Sequence, residues 1–201
     1  RPLSSVKNNT TSHLVSDIEM IRERLSVDSW IVFGGSWGST LSLIYAQAYP
    51  ERVSHIVLRG VFLMTKRELD WFYGGGAGQF WPDAWNRFIE KIPADEHDDL
   101  IDADNRRLFC GDLRVEMQFG RIWSSWENAL ASIFSNGNGV ESSSEYARTF
   151  ARLENHYFKN NGFLEFDGQI LAKMERIANI PGFIVQGRYD MICPPKSAWD
   201  I

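Results

Sequence analysis

Residues 30–50, Trp30 to Pro50 (WIVFGGSWGSTLSLIYAQAYP), constrain the fold more than any other stretch of the chain. An apolar run fit for a buried strand, Trp30 to Phe33, leads into Gly34-Gly35-Ser36-Trp37-Gly38, a G-x-S-x-G pentapeptide. A run of helical spacing follows, with Leu41, Ile44, Tyr45 and Ala48 on one side. The pentapeptide alone is weak: with 16 glycines in 201 residues it arises by chance in about one such chain in ten. Its place between a strand and a helix raises its weight. A strand that turns abruptly into a helix strains its corner residue, and glycines flank the corner because a Cβ there would collide with neighbouring chain. The Ser36 hydroxyl is thereby pushed clear of the sheet, and the new helix points its first N–H groups, that of Trp37 among them, at the same spot. This is a nucleophile with an oxyanion donor beside it; an ordinary serine in a glycine-rich turn is the plainer alternative.

The flanking sequence predicts how the corner is supported. Thr10 or Thr11 caps a helix whose apolar positions Leu14, Ile18, Ile21 and Leu25 form a stripe expected to lie on a sheet. Pro50 closes the helix after the corner, and Ser54 to Leu58 (SHIVL) reads as a second strand, so that a β-α-β unit brings two strands side by side in parallel. From about Met64 to Ile177 the strand signals vanish and helical patterns rich in Trp and charge take over, with loops at Gly74-Gly75-Gly76 and at Ser135 to Ser144. One more strand is expected at Phe183-Ile184-Val185-Gln186. A helical insertion within one sheet accounts for this order: core over residues 1–63, helical cap over 64–178, core again over 179–201.

The last strand runs into Gly187-Arg188-Tyr189-Asp190, which puts an acid just past its C-terminal end, the edge of an open α/β sheet where catalytic groups gather. A Ser-His-acid triad on such a sheet follows the chain order nucleophile, acid, histidine, so Asp190 fits the acid that orients the imidazole. All four histidines, His13, His55, His97 and His156, precede Asp190, and none suits the role. Without a base the Ser36 hydroxyl is a weak nucleophile.

Composition narrows the function classes. A net charge of −5 and a pI near 5.4 argue against a nucleic-acid or anionic-membrane surface, and no apolar run approaches the length of a bilayer span. Two cysteines, Cys110 and Cys193, are too few and too far apart for a disulfide framework or a metal site, and a reducing cytoplasm fits them best.

Further runs resemble one family. They are Asn9-Thr10-Thr11 with His13-Leu14-Val15 and Asp17-Ile18-Glu19, Val32-Phe33 through Ser39-Thr40-Leu41, Tyr49-Pro50-Glu51-Arg52-Val53, and Leu58-Arg59-Gly60-Val61-Phe62-Leu63. Glu68-Leu69-Asp70-Trp71-Phe72-Tyr73, Pro82-Asp83-Ala84-Trp85, Trp126-Glu127 and Gly187-Arg188-Tyr189-Asp190 complete the set. Together they resemble the proline iminopeptidases (prolyl aminopeptidases), α/β-hydrolases that release an N-terminal proline from peptides. The resemblance implies an α/β fold, a partial α/β-hydrolase with parallel strands around a nucleophile elbow and an inserted helical cap. It implies Ser36 as nucleophile, Asp190 as triad acid and the Trp37 N–H as oxyanion donor. It further implies Glu127 and Glu154 as cap carboxylates for the substrate's charged amino terminus, and Phe62 with Phe72 or Tyr73 as apolar walls for the pyrrolidine ring. No metal or organic cofactor is implied; the expected partner is a peptide with a free N-terminal proline.

The family's His-Gly-Gly-Pro-Gly segment, its Asp-Gln-Arg-Gly stretch and its C-terminal Gly-His segment are not in this chain, which therefore reads as an internal piece of a longer protein. Two rivals stay open: an esterase or amidase on the same scaffold, and a non-catalytic α/β-hydrolase-like protein. The 201-residue chain alone is expected to be inactive and poorly stable, with sheet edges open and apolar faces uncovered; measurable release of proline from a prolyl naphthylamide would contradict this.

Overall fold

The computed structural model describes residues 5–131 and 143–201; the loop expected at Ser135 to Ser144 lies mostly outside the described residues. In chain order the elements are α1 (Thr11–Arg24), β1 (Trp30–Ser36), α2 (Trp37–Ala48), β2 (Val53–Val61), α3 (Lys66–Tyr73) and α4 (Pro82–Ile89). Then come α5 (Leu100–Leu108), α6 (Leu113–Ala131), α7 (Ser144–Lys159), α8 (Gln169–Ala172), β3 (Gly182–Val185) and α9 (Pro195–Asp200). Two compact units emerge: a core unit of residues 7–68 and 161–201, and a helical unit of residues 1–6 and 69–160.

In the core unit β2 is the central strand, with β1 and β3 parallel on either side. The register sets Phe33 against Val57 and Val57 against Phe183. Because side chains alternate along a strand, this row faces away from the row that contains Leu58. The two faces differ sharply: Ile56, Leu58 and Val61 join Leu43, Tyr45 and Ala46 of α2 in the core, with Ile170 and Ile177 closing it. On the other face Phe33 is 73% and Phe183 66% exposed.

Two expected helix faces are corrected. Thr10 does cap α1, its side chain accepting from the His13 N–H, but the helix turns Thr11, Val15 and Arg22 inward and leaves Ile21 and Leu25 exposed. The reason is polar. Glu19 accepts from the Tyr45 hydroxyl at 2.8 Å and from Arg22 Nε and Nη2 at 3.0 and 2.6 Å, and Arg22 also donates to the Val27 carbonyl. This latch docks α1 on α2 rather than laying an apolar stripe on the sheet. In α2, Leu41 and Ile44 are half-buried and Ala48 is exposed, while Leu43, Tyr45, Ala46 and even Gln47 are buried. The helix is flanked by β1, β2, α1 and α8, so no single stripe defines its inner side.

The helical unit is built on aromatic contacts. Tyr73 stacks on Trp123 with ring centroids 4.4 Å apart, Phe88 stacks on Trp126 at 5.8 Å, and Trp126 donates its indole N–H to the Phe72 carbonyl at 3.0 Å. Polar ties set the helix spacing. The fully buried Asn155 of α7 accepts from Asn105 and donates to the Ile101 carbonyl, both on α5. Glu116 of α6 accepts from Arg148 Nε at 2.6 Å and lies 3.0 Å from Arg152. At Gly120 the α6 backbone meets α7 so closely that a Cβ would stand 2.6 Å from the Arg148 Cα.

The one-sided core sets a stability contrast in this chain. Leu58→Ala is expected to cost about 2–5 kcal/mol in urea denaturation, whereas Phe33→Ala, on the open face, changes stability by about 0.5 kcal/mol or less.

Candidate active site

β1 runs through the glycines and ends on Ser36, which occupies φ 54°, ψ −124° at the junction with α2. A non-glycine residue in that region carries strain of about 1–3 kcal/mol, which persists only where the surroundings over-determine it. Here they do. A Cβ at Gly34 would stand 2.1 Å from the Gly38 carbonyl oxygen and 2.5 Å from Ser42 Oγ, so only glycine lets β1 pass this close under α2. Gly38 is different from expectation: a Cβ there meets nothing within 4 Å, so the clash belongs to the first glycine of the pentapeptide alone. Ser39 Oγ donates to the Ser36 carbonyl at 2.6 Å and accepts from the Phe62 N–H at 2.9 Å, and Thr40 Oγ1 donates to the Phe62 carbonyl at 2.6 Å. The first turn of α2 thereby fastens both the corner and the chain leaving β2. Trp37 is the first residue of α2, so its backbone N–H lies at the positive end of the helix dipole.

Asp190 follows β3 and is oriented by three donors. Its Oδ1 accepts from the Cys193 and Ile192 N–H groups at 2.8 and 3.1 Å, and its Oδ2 from Gln186 Nε2 at 3.4 Å. Cys193 links the acid to the serine: its Sγ is 3.9 Å from Ser36 Oγ. Gln186 holds the region together, donating to the Cys193 carbonyl at 2.7 Å and accepting from the Val61 N–H at 2.8 Å. Burial, and then the Asp190 charge, push the Cys193 thiol up to about 12.

Sequence reasoning missed Gln186, Cys193 and Glu68. The buried Glu68 accepts from the N–H groups of Leu63 and Thr65, which flank Met64 at φ 59°, and from the hydroxyls of Thr65 and Ser197. Thr65 Oγ1 in turn accepts from the Glu68 N–H, so Thr65-x-x-Glu68 is a capping box at the start of α3, a signature the sequence does carry.

Of the remaining predicted residues, Phe62 is buried in the core unit, while Tyr73, Glu127 and Glu154 come together in the helical unit. The Tyr73 hydroxyl donates to Glu127 Oε1 at 2.9 Å, the Trp123 indole N–H donates to Glu154 Oε2 at 2.7 Å, and the two rings that carry these donors are stacked on one another. Burial raises the pKa of Glu127 and Glu154, and the charge of Glu154 raises Glu127 further. Burial, then the nearby carboxylates, holds the Tyr73 phenol far above its ordinary range. Asp104 of α5, buried with no hydrogen-bond partner for either oxygen among the described residues, is pushed up to about 8 by burial.

Each histidine has a setting of its own. His13 is bonded to Thr10 at 2.7 Å and His97 to the Ile92 carbonyl at 2.9 Å. His55 pairs with Ile31 near the start of β2, whereas Ser36 pairs with Val61 at its end, about 20 Å along the strand. His156, on α7, lies edge-on to Tyr157 in the helical unit. Among the described residues no group of three or more His, Cys, Asp or Glu is arranged to hold a metal ion, and no helix is long and apolar enough to cross a membrane.

A family model described as alpha/beta hydrolase fold matches residues 1–201. A proline iminopeptidase of Xylella fastidiosa (strain Temecula1) is 48% identical over 202 residues, covering 100% of this chain and 64% of that protein. A proline iminopeptidase of Arabidopsis thaliana is 46% identical over 203 residues, covering 100% of this chain and 53% of the relative. One of Neisseria gonorrhoeae is 44% identical over 201 residues, at 100% and 64%. The chain thus spans between 53% and 64% of the length of these relatives.

The two free thiols test the site's burial. With Cys193 buried and raised to about 12 while Cys110 is exposed, iodoacetamide at pH 8 is expected to alkylate Cys193 about 100-fold more slowly or less. Peptide mapping by mass spectrometry reads the ratio, and equal rates would show that the thiol beside Ser36 is open to solvent.

Proposed function

The chain belongs to the α/β-hydrolase fold family, and from that membership we propose a serine exopeptidase that releases proline from the N-terminus of peptides. The observation that carries the reading is Ser36, held at φ 54° on a strand-to-helix corner with Asp190 linked to it through Cys193. A strained corner serves a nucleophile, because it presents the hydroxyl beside a helix N-terminus where negative charge is stabilised. The relatives' shared name, proline iminopeptidase, supports the substrate class.

In this mechanism an imidazole lying between Ser36 and Asp190 takes the hydroxyl proton as Oγ attacks the carbonyl of the N-terminal proline. The Trp37 N–H is one donor to the oxyanion. Collapse of the tetrahedral species breaks the peptide bond, the imidazolium gives its proton to the leaving amine, and water then cleaves the prolyl ester. Asp190 fixes the imidazole tautomer, which requires the acid itself to be fixed; its three donors do that. Glu127 and Glu154 take the substrate's ammonium by charge-assisted hydrogen bonds, and Phe62 with Tyr73 supplies apolar surface for the ring. No step calls on a metal or an organic cofactor. A cytoplasmic setting is part of the proposal, supported by two cysteines that are free thiols.

In the complete protein, Ser36→Ala is expected to lower turnover of a prolyl naphthylamide by about 10⁴-fold or more. Glu127→Gln should lower kcat/KM for that substrate by about 10–10³-fold while sparing a simple p-nitrophenyl ester. Equal loss on both substrates would remove the amine-binding role and favour an esterase.

A further inference from the structure

Two carboxylates that share a site repel one another and offer only acceptors, so one of them keeps a proton unless a cation lies beside them. Glu127 of α6 and Glu154 of α7 share such a site: Tyr73 donates to Glu127 and Trp123 to Glu154, and the two rings are stacked with centroids 4.4 Å apart. Both of these donors, the Tyr73 hydroxyl and the Trp123 indole N–H, are neutral. They can settle one negative charge shared by the pair, but they bring no positive charge to offset a second. The elements packed around α6 and α7 do not change this balance. From α3 the facing titratable group is Tyr73, whose phenol stays protonated; from α5 it is Asp104, another acid, with Arg107 acting on Asp104. From α4 come the rings of Phe88 and Trp85, packed on Trp123 and Trp126.

We propose that the unliganded protein holds one proton between Glu127 and Glu154, and that the ammonium of an N-terminal proline binds by displacing it. This rests on the amine-binding role given to the pair above. The charges balance. Before binding, the pair is one carboxylic acid and one carboxylate, net −1; afterwards it is two carboxylates and one ammonium, again net −1, with the proton released to solvent. A secondary ammonium has two N–H donors, one for each carboxylate, so it replaces the shared proton in number and in sign. The site therefore admits a cation without changing its own charge, and the proton keeps the place while the site is empty. A peptide with a blocked amino terminus brings no charge to exchange and gains nothing by entering. Selection for a free amino terminus thus comes from an exchange of cations, and it is sensitive to pH.

The sign follows from linkage. Binding favours the doubly ionised pair, so affinity rises with pH while the pair still holds its proton, and it falls again once the ligand's own amine loses its charge. The probe is L-prolinamide, titrated into the protein calorimetrically at pH 6.5 in two buffers of different ionisation enthalpy. Close to one proton should be released per ligand bound, and Kd should tighten close to tenfold per pH unit. In Glu154→Gln, where an amide donor replaces the acid, the release should fall toward zero and the pH dependence should flatten. Binding with no proton released and a pH-independent Kd would overturn the exchange while leaving the amine site standing. Failure of prolinamide to bind would overturn both.

Infrared spectroscopy gives a readout that needs no ligand. Unliganded protein should show a protonated-carboxyl band that loses one group's intensity in Glu154→Gln, or in Glu127→Gln if the first variant does not fold. Asp104, a neutral acid below pH of about 8, contributes equally to both spectra and cancels in the difference. An unchanged band would show that the pair holds no proton.

Discussion

The core unit depends on one close approach, the passage of β1 beneath the first turn of α2 at Gly34. With the Gly38 carbonyl 2.1 Å from where a Cβ would stand, strand and helix can meet at this angle only if residue 34 has no side chain. That contact forces the turn to be completed within Gly35 and Ser36, and Ser36 absorbs it with a positive φ. The same approach brings Ser39 and Thr40 against the chain leaving β2, where their hydroxyls take over the Phe62 N–H and carbonyl. One steric constraint thus sets the conformation of Ser36 and the position of the loop beside it.

Around that corner the end of the sheet is fixed by side chains rather than by further strand pairing. Gln186 engages Val61, Asp190 and Cys193, and Glu68 engages Leu63, Thr65 and Ser197. Each amide or carboxylate serves several backbone groups at once, which suits a place where strands end and their ladders stop. Positions of Ser36 and Asp190 are therefore set by groups with no part in bond making. In the helical unit the division of labour is similar: the Glu116 ion pairs and the close approach at Gly120 set the spacing of α6 and α7, and two neutral donors, Tyr73 and Trp123, orient the carboxyl pair.

Features whose causes are local were legible in the sequence. The elbow needs glycine at a particular offset from a strand, the α1 cap needs a hydroxyl ahead of a helix, and β2 and β3 are runs of β-branched and aromatic residues; all three stand where expected. The inward face of α1 was not legible, because a Glu19–Arg22–Tyr45 latch outweighed an apolar stripe, and Tyr45 lies on another helix. Gln186 and Cys193 give no signal because neither residue type marks a role by itself and one partner of each, Val61 for Gln186 and Ser36 for Cys193, lies far off in the chain. Glu68 differs from these, since its Thr65 capping box is readable in the sequence. Glu127 and Glu154 are reached only through family resemblance, and their meeting beside the stacked Tyr73 and Trp123 rings is a product of tertiary packing that spacing cannot disclose.

The sheet's connectivity has a consequence for the order in which it can form. β1, α2 and β2 are contiguous, whereas β3 reaches β2 only across the residues between Val61 and Gly182. Closing a loop costs entropy that grows only with the logarithm of its length, so a connection of about 120 residues costs only about 2 kcal/mol more than one of ten. The helical unit shortens the effective loop further once it has collapsed on its own aromatic centre. A long insertion in the middle of a sheet is for this reason a small thermodynamic burden but a kinetic one, because the strand that leads to Asp190 is the last to find its partner.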